Sequence, residues 1–276
     1  MKFASLGSGS EGNALLISAA SGATHTTVML DCGFGIRETE RRLARLEMIP
    51  SALTGIVVTH EHQDHVGGVF KFARRHRIPV WLSFGTFQAA GAASEGVTLH
   101  FCRDGDRLAI GDLELLPYTV PHDAREPLQY VASDGRQKLG VLTDAGHSTP
   151  HLITALSGCD ALMLECNHDR QMLAESTYPP SLKRRIGGPY GHLSNQTTAE
   201  ILSALDQSRL RIVVGAHLSK QNNTVELARA ALHMNLHALE RITSRSPLAG
   251  CNARAAQVEV RLACQEEGFD WIELAD

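Results

Sequence analysis

Between residues 60 and 65 the chain reads His60-Glu61-His62-Gln63-Asp64-His65. Three imidazoles and a carboxylate, His60, His62, Asp64 and His65, thus fall within one short segment. Imidazole nitrogens suit zinc, manganese and iron, and a carboxylate adds charge neutralisation and a means of orienting water. The segment follows the apolar run Ile56-Val57-Val58, and a loop leaving a strand can turn several side chains into one small volume. The spacing predicts a metal centre rather than a polar surface loop. Partners are expected at later strand ends: His122 after Tyr118-Thr119-Val120-Pro121, Asp144 after Val141-Leu142-Thr143, and His217 after Val213-Val214-Gly215-Ala216. Taken singly, each reads better as a buried, hydrogen-bonded histidine or a turn aspartate. Taken with the first loop they form a consistent set. Asp31, after Val28-Met29-Leu30, is expected to hold a ligand imidazole in its proper tautomer rather than to bind metal.

Those residues need a rigid frame, and short apolar runs alternating with turns and helices supply an α/β pattern. Leu15–Ile17 and Val28–Leu30 read as successive strands, Ile56–Val58 as a buried strand, and Pro79–Leu82 as the start of another. Val66, Val69, Phe70 and Ala73 recur at helical spacing and give one apolar face. Residues 99–142 read as a meander through Leu113–Leu116, Gln129–Ala132 and Leu139–Leu142, with Asp134-Gly135 as a hairpin turn. Ala161–Leu164 and Ile212–Val214 are further buried strands, and Thr198, Ile201, Leu202 and Leu205 mark a helix between them. A long helix is predicted after Asn223, where Asn223-x-x-Glu226 has capping-box form, with Val225, Ala228, Leu232 and Leu239 on its core side. Gln257–Cys264 and Phe269–Leu274 read as closing strands about a Glu267-Gly268 turn.

The bulk properties narrow the function classes. A chain of 276 residues, 43% of them hydrophobic, can bury a sizeable core. The net charge of −4 comes from interspersed signs, so no global basic field advertises nucleic acid. Six cysteines without a C-x-x-C pair argue against a disulfide scaffold and for free thiols in a reducing compartment. Neither a signal-peptide core nor an apolar run of about 18 residues is visible, so the expectation is a cytoplasmic protein without a membrane span.

With Asp31, the 60–65 loop, His122, Asp144 and His217 in this order, the chain resembles the metallo-β-lactamase superfamily over its whole length. The resemblance implies a single domain, 1–276, built as an αββα four-layer sandwich with a dinuclear site along one edge. It assigns His60, His62 and His122 to one divalent ion and Asp64, His65 and His217 to the other, with Asp144 bridging and Asp64 orienting the attacking water. Members that reduce oxygen at a di-iron centre carry an acidic residue where His62 stands, so His62 implies hydrolysis. Two ions about 3.5–4 Å apart ionise a water between them and neutralise charge on a phosphoryl or carbonyl oxygen. The donor types admit zinc and manganese alike.

Further segments resemble the phosphodiesterase branch, in which RNase Z-like enzymes pair an acidic residue after a strand with a histidine before a helix. Gly7–Asn13, Leu164–Asp169, Gly191–Asn195 and Leu218–Asn223 are similar to the YycJ/WalJ-like family, which implies a 5′-to-3′ exonuclease acting on DNA. Phosphodiester cleavage needs a proton for the leaving alkoxide, and a histidine positioned by a carboxylate can supply it. His192 oriented by Glu165 is the expected donor, with His168 as a second candidate. Ser10, Asn13 and Ser219 become phosphate contacts under that reading, and the glycine-rich 7–13 segment could turn backbone N–H groups toward a phosphate. Asn223 reads as a helix cap. Lys183, Arg184 and Arg185 form a local basic strip suited to a phosphate backbone, whereas Arg74–Arg77 reads as a solvated face. Aromatics at 5% argue against extensive base stacking. Two rival readings stay open: a small-molecule ester, thioester or phosphoester hydrolase on the same fold, and a non-catalytic metal-binding scaffold.

Overall fold

A computed structural model describes residues 1–243 and 258–274. The first sheet is entered by β1 (Lys2–Gly7), β2 (Ala14–Ser21), β3 (Thr24–Leu30), β4 (Gly55–Val57), β5 (Val80–Leu82) and β6 (Leu99–Phe101). The chain then crosses to a second sheet with β7 (Leu108–Ile110), β8 (Leu113–Thr119), β9 (Leu128–Ser133), β10 (Lys138–Leu142), β11 (Ala161–Glu165), β12 (Ile212–Ala216) and β13 (Glu259–Leu262). It returns to the edge of the first sheet as β14 (Phe269–Glu273), giving the orders β14-β1-β2-β3-β4-β5-β6 and β13-β12-β11-β10-β9-β8-β7. In each sheet an antiparallel half passes into a parallel half, at β3 and at β10.

The alternation of side chains along these strands explains the layers. Leu15 and Ile17 point between the sheets and meet Leu115, Tyr130, Val141 and Met163 from the other side. Leu16, Met29 and Ile56 point outward beneath Leu43 of α1 (Ile36–Arg45) and Phe72 of α3 (Val69–His76). Leu162, Leu164 and Val213 face the opposite way, under α5 (Pro150–Leu156), α8 (Asn195–Ala204) and α9 (Val225–Thr243). Strands apolar on both faces require cover on both, and the result is the αββα sandwich. Among the described residues no helix is long and apolar enough to cross a membrane.

Several local expectations need correction. Val225 is 46% exposed, whereas Ala228 and Leu232 are fully buried, so α9 packs through the latter pair. Its first turn is capped by Thr224, whose hydroxyl accepts the Leu227 N–H at 3.2 Å. Asn223 is drawn inward instead, donating to the Cys166 carbonyl and exchanging bonds with the Asn195 amide. The Glu267-Gly268 turn does not close a hairpin within one sheet. It carries the chain from the edge of the second sheet to the edge of the first. Gln257 and the Leu239 side chain lie outside the described residues. Cys32, Cys102, Cys159, Cys166 and Cys264 are all free thiols.

Candidate metal centre

Five strand ends meet along one edge of the sandwich. β3 delivers Asp31, β4 the 60–65 loop, β8 His122, β10 Asp144 and β12 His217. Asp31, Asp144 and His217 adopt left-handed φ values of 62°, 57° and 54°. Such a residue reverses the chain within one position, which throws its side chain back over the end of the sheet. Asp and His tolerate this conformation better than bulky or β-branched residues do. Gly33 permits a second close approach. A Cβ there would lie 2.0 Å from the Asp64 carbonyl oxygen, so the loop after β3 can rest directly on the 60–65 backbone.

The seven sequence-named ligands converge. Donor atoms of His60, His62 and His122 lie within 4.8 Å of one another, as do those of Asp64, His65 and His217, and His60, His65 and Asp144 form a third such group. Three imidazoles have their Nδ1 protons committed to the surrounding protein. His65 donates to Asp31 Oδ2 at 2.8 Å, and His122 donates to the Gly191 carbonyl at 3.0 Å. His60 donates to Thr59 Oγ1 at 2.9 Å, and that hydroxyl donates to Asp31 Oδ2. Each therefore points its Nε2 inward, the nitrogen a metal ligand would use, and His65 must give up its second proton to do so.

The residues fit divalent metal. His60 Nε2 is buried with no hydrogen-bond partner, a costly state unless a cation occupies the lone pair. Asp144 Oδ2 lies 2.8 Å from His65 Nε2, and His217 Nδ1 lies 2.8 Å from Asp144 Oδ1, yet neither Asp144 Oδ2 nor His217 Nδ1 makes a well-formed hydrogen bond. Atoms this close and misaligned as hydrogen-bond partners are disposed as co-ligands. Burial pushes His60 and His122 well toward the neutral form a metal requires. Burial also opposes the charge on Asp144, but His217 and His65 hold its carboxyl well below the usual range.

Beside this cluster stands His192. Its Nδ1 donates to Glu165 Oε1 at 2.7 Å and lies 3.0 Å from Asp144 Oδ1. Glu165, fully buried at the end of β11, is fixed through its other oxygen by the Ala145 and Leu193 N–H groups at 2.9 and 3.1 Å. Thr198 Oγ1 also donates to the Glu165 carbonyl. Burial disfavours a charged His192, but Glu165 and Asp144 outweigh it and raise the pKa to about 9. His192, Asp64, Asp144 and His217 share a cleft of about 380 Å³ with Ser10, Arg185 and Ser219.

Residues 26–218 match the family described as Beta-lactamase superfamily domain. The chain is 32% identical to the exodeoxyribonuclease YycJ of Bacillus anthracis over 84% of its own length and 88% of that protein. The chain belongs to the metallo-β-lactamase superfamily, in its YycJ/WalJ-like branch. A second relative, the exodeoxyribonuclease WalJ of Streptococcus pneumoniae, is 30% identical over 82% of this chain and 85% of that protein. The metallo-β-lactamase fold protein YhfI of Bacillus subtilis superposes with a TM-score of 0.69, covering 99% of both chains at 15% identity, which bears on the fold alone. As a member of this branch the protein is a metal-dependent hydrolase.

Within this superfamily frame the remaining sequence-named residues separate. Ser10, Ser219 and Arg185 line the cleft. Asn13 does not: it is buried, its amide donating to the Gly9 carbonyl at 3.0 Å and meeting His65 Nε2 at 3.1 Å. Lys183, Arg184 and His168 line a neighbouring cavity instead. Two contributors went unnoticed in the sequence. Thr59 links His60 to Asp31, and Asp123 lies within 3.6 Å of His62 Nε2 while accepting from Arg185 Nε at 2.7 Å. Their only signal was adjacency to His60 and His122.

Proposed function

We propose that the protein hydrolyses phosphodiester bonds in nucleic acid, DNA above all, removing nucleotides from the 5′ end with the aid of two divalent ions, zinc or manganese. His60, His62 and His122 would hold one ion, Asp64, His65 and His217 the other, and Asp144 would lie between them. The ions, when bound, supply charge neutralisation and an ionised water. The observation that carries the reading is the His192–Glu165 pair abutting the ligand cluster. A thiolate leaving a thioester needs no dedicated donor, whereas the alkoxide leaving a phosphodiester must be protonated. The exodeoxyribonuclease relatives over most of the chain support the same substrate class.

The chain's own residues divide the work. Glu165 Oε1 fixes the Nδ1 proton of His192, so the other ring nitrogen offers its proton to the 3′-oxygen. Asp64 Oδ2 accepts a proton from the attacking water. One P–O3′ bond breaks, one P–O bond to water oxygen forms, and the products are a 3′-hydroxyl and a 5′-phosphate. Arg185 and Ser219, which line the cleft, would hold the scissile phosphate.

End-labelled single- and double-stranded DNA and RNA, incubated with protein reloaded separately with zinc or manganese, test this. Stepwise release from the 5′ end that stops on chelation is expected. Turnover of a thioester or small phosphoester with every nucleic acid untouched would overturn it in favour of a small-substrate hydrolase.

A further inference from the structure

His192 forms part of two walls. One faces the metal cleft, and the other faces a second cavity of about 650 Å³, within the size range of small-molecule sites. The partition between them is α7 (Pro180–Ile186). Leu182, Arg185 and Ile186 look into the cleft, and Lys183 and Arg184 look into the second cavity. The basic run that reads as one strip in the sequence is thus split across a helix.

Three observations give the second cavity a chemistry. His168 lines it, is 3% exposed, and has a buried Nδ1 with no hydrogen-bond partner. The capped N-terminus of α8 borders it at Ser194 and Thr197, where the Ser194 hydroxyl already holds the Thr197 N–H at 3.1 Å, so that end contributes its dipole rather than a free donor. Arg184, with no hydrogen-bond or ion-pair partner among the described residues, stands in its wall with Arg170 and Lys183, while the one lining carboxylate, Glu200, accepts a bond from the Gln196 amide at 3.2 Å. A cavity holding a spare guanidinium, an unsatisfied imidazole and a helix N-terminus fits a phosphate.

Position supplies the rest. In the proposed reaction His192 gives its proton to O3′, and that oxygen belongs to the departing nucleotide. What lies beyond His192, away from the metals, is therefore the sugar and 5′ side of that nucleotide. We infer that the second cavity seats the 5′-terminal nucleotide of the strand, with its 5′-phosphate held by Arg184 and His168 beside the positive end of the α8 dipole. This rests on the nuclease reading and deepens it: the enzyme measures one nucleotide from a phosphorylated end.

Two measurements test the inference. The first compares turnover of a 5′-phosphorylated and a 5′-hydroxyl single-stranded oligonucleotide by the metal-loaded enzyme. The wild type is expected to prefer the phosphorylated end by about tenfold or more, as a charged hydrogen bond supplies. Arg184→Glu, and Ala174→Trp at an exposed position of the cavity wall, should bring the ratio close to one. The second measures binding of thymidine 5′-monophosphate, thymidine 3′-monophosphate and inorganic phosphate by calorimetry. The 5′-monophosphate should bind best and weaken about tenfold in either variant with metal content retained. A wild type indifferent to the 5′-phosphate, or variants that keep the preference, would overturn the cavity assignment while leaving the nuclease intact. If no nucleic acid is cut yet 5′-monophosphate binding still depends on Arg184, the cavity stands and the nuclease reading falls. Equal binding of all three ligands, unchanged in both variants, sinks the cavity by itself.

Discussion

His192 favours its charged form because two carboxylates outweigh burial, as a proton donor requires. His192 also lies close enough to Asp144, Glu165 and His217 to share a cation with them, so the two roles make different predictions. As the donor, His192→Ala lowers kcat on a phosphodiester by about 10²–10⁴-fold with bound metal unchanged by elemental analysis. A parallel loss of metal would make His192 a ligand. The ligands themselves predict a pH effect in the metal-free protein. Burial opposes charge on His65, but Asp144 and Asp31 raise its pKa to about 10, and Asp144 raises that of His217 as well. A raised folded pKa stabilises the fold fully below the unfolded value of about 6.5, and the stabilisation is lost as pH climbs through about 10. Chelator-stripped protein should therefore melt at progressively lower temperature from neutrality upward. Adding zinc or manganese near neutrality should expel those protons, giving a binding enthalpy that varies with the buffer's ionisation enthalpy. A buffer-independent enthalpy would contradict the protonated site.

At the level of loops and strands, the centre depends on backbone close approach as much as on side chains. Left-handed residues outside glycine cost on the order of 1–3 kcal/mol each, and Asp31, Asp144 and His217 all adopt that conformation at the ends of strands feeding one cluster. Their neighbours must hold them there. Gly33 is one such contact, because an added methyl would overlap the Asp64 carbonyl. Gly33→Ala is expected to cost about 1–3 kcal/mol and to lower metal occupancy by pushing the 60–65 loop away from His217. Melting curves and metal stoichiometry on the same sample check this. Full occupancy at wild-type stability would show that the loop yields freely.

Across the whole molecule, the centre is a joint between two sheets. Asp31 and the 60–65 loop come from the first, and His122, Asp144 and His217 from the second. Tyr130, fully buried in the second sheet, donates its hydroxyl to the Val58 carbonyl at 3.0 Å, two residues before His60. Tyr130→Phe leaves that carbonyl short of a partner in a dry core. It should cost about 1–3 kcal/mol in a urea titration. Metal ligated from both sheets would bind the folded chain alone, so loading should raise the midpoint of wild type and variant alike. No metal-dependent rise would mean that the two sheets do not share the ions.

The sequence by itself determined the donor types, their order and the strand ends that carry them. Each is a local pattern: an apolar run, then the first histidine or aspartate after it. It also carried the strands that are apolar on both faces, and with them the α/β class. Short elements escaped, among them β7, α6 (Arg170–Glu175) and α7, because so few residues give no measurable period. Only the tertiary structure decided which neighbours in sequence part company. Asn13 goes beneath the site while Ser10 stays in the cleft, and Arg185 faces the cleft while Arg184 faces the cavity beyond His192. The physical reason is that facing is set by contacts between residues far apart along the chain, and no local spacing encodes which side of α7 meets His192.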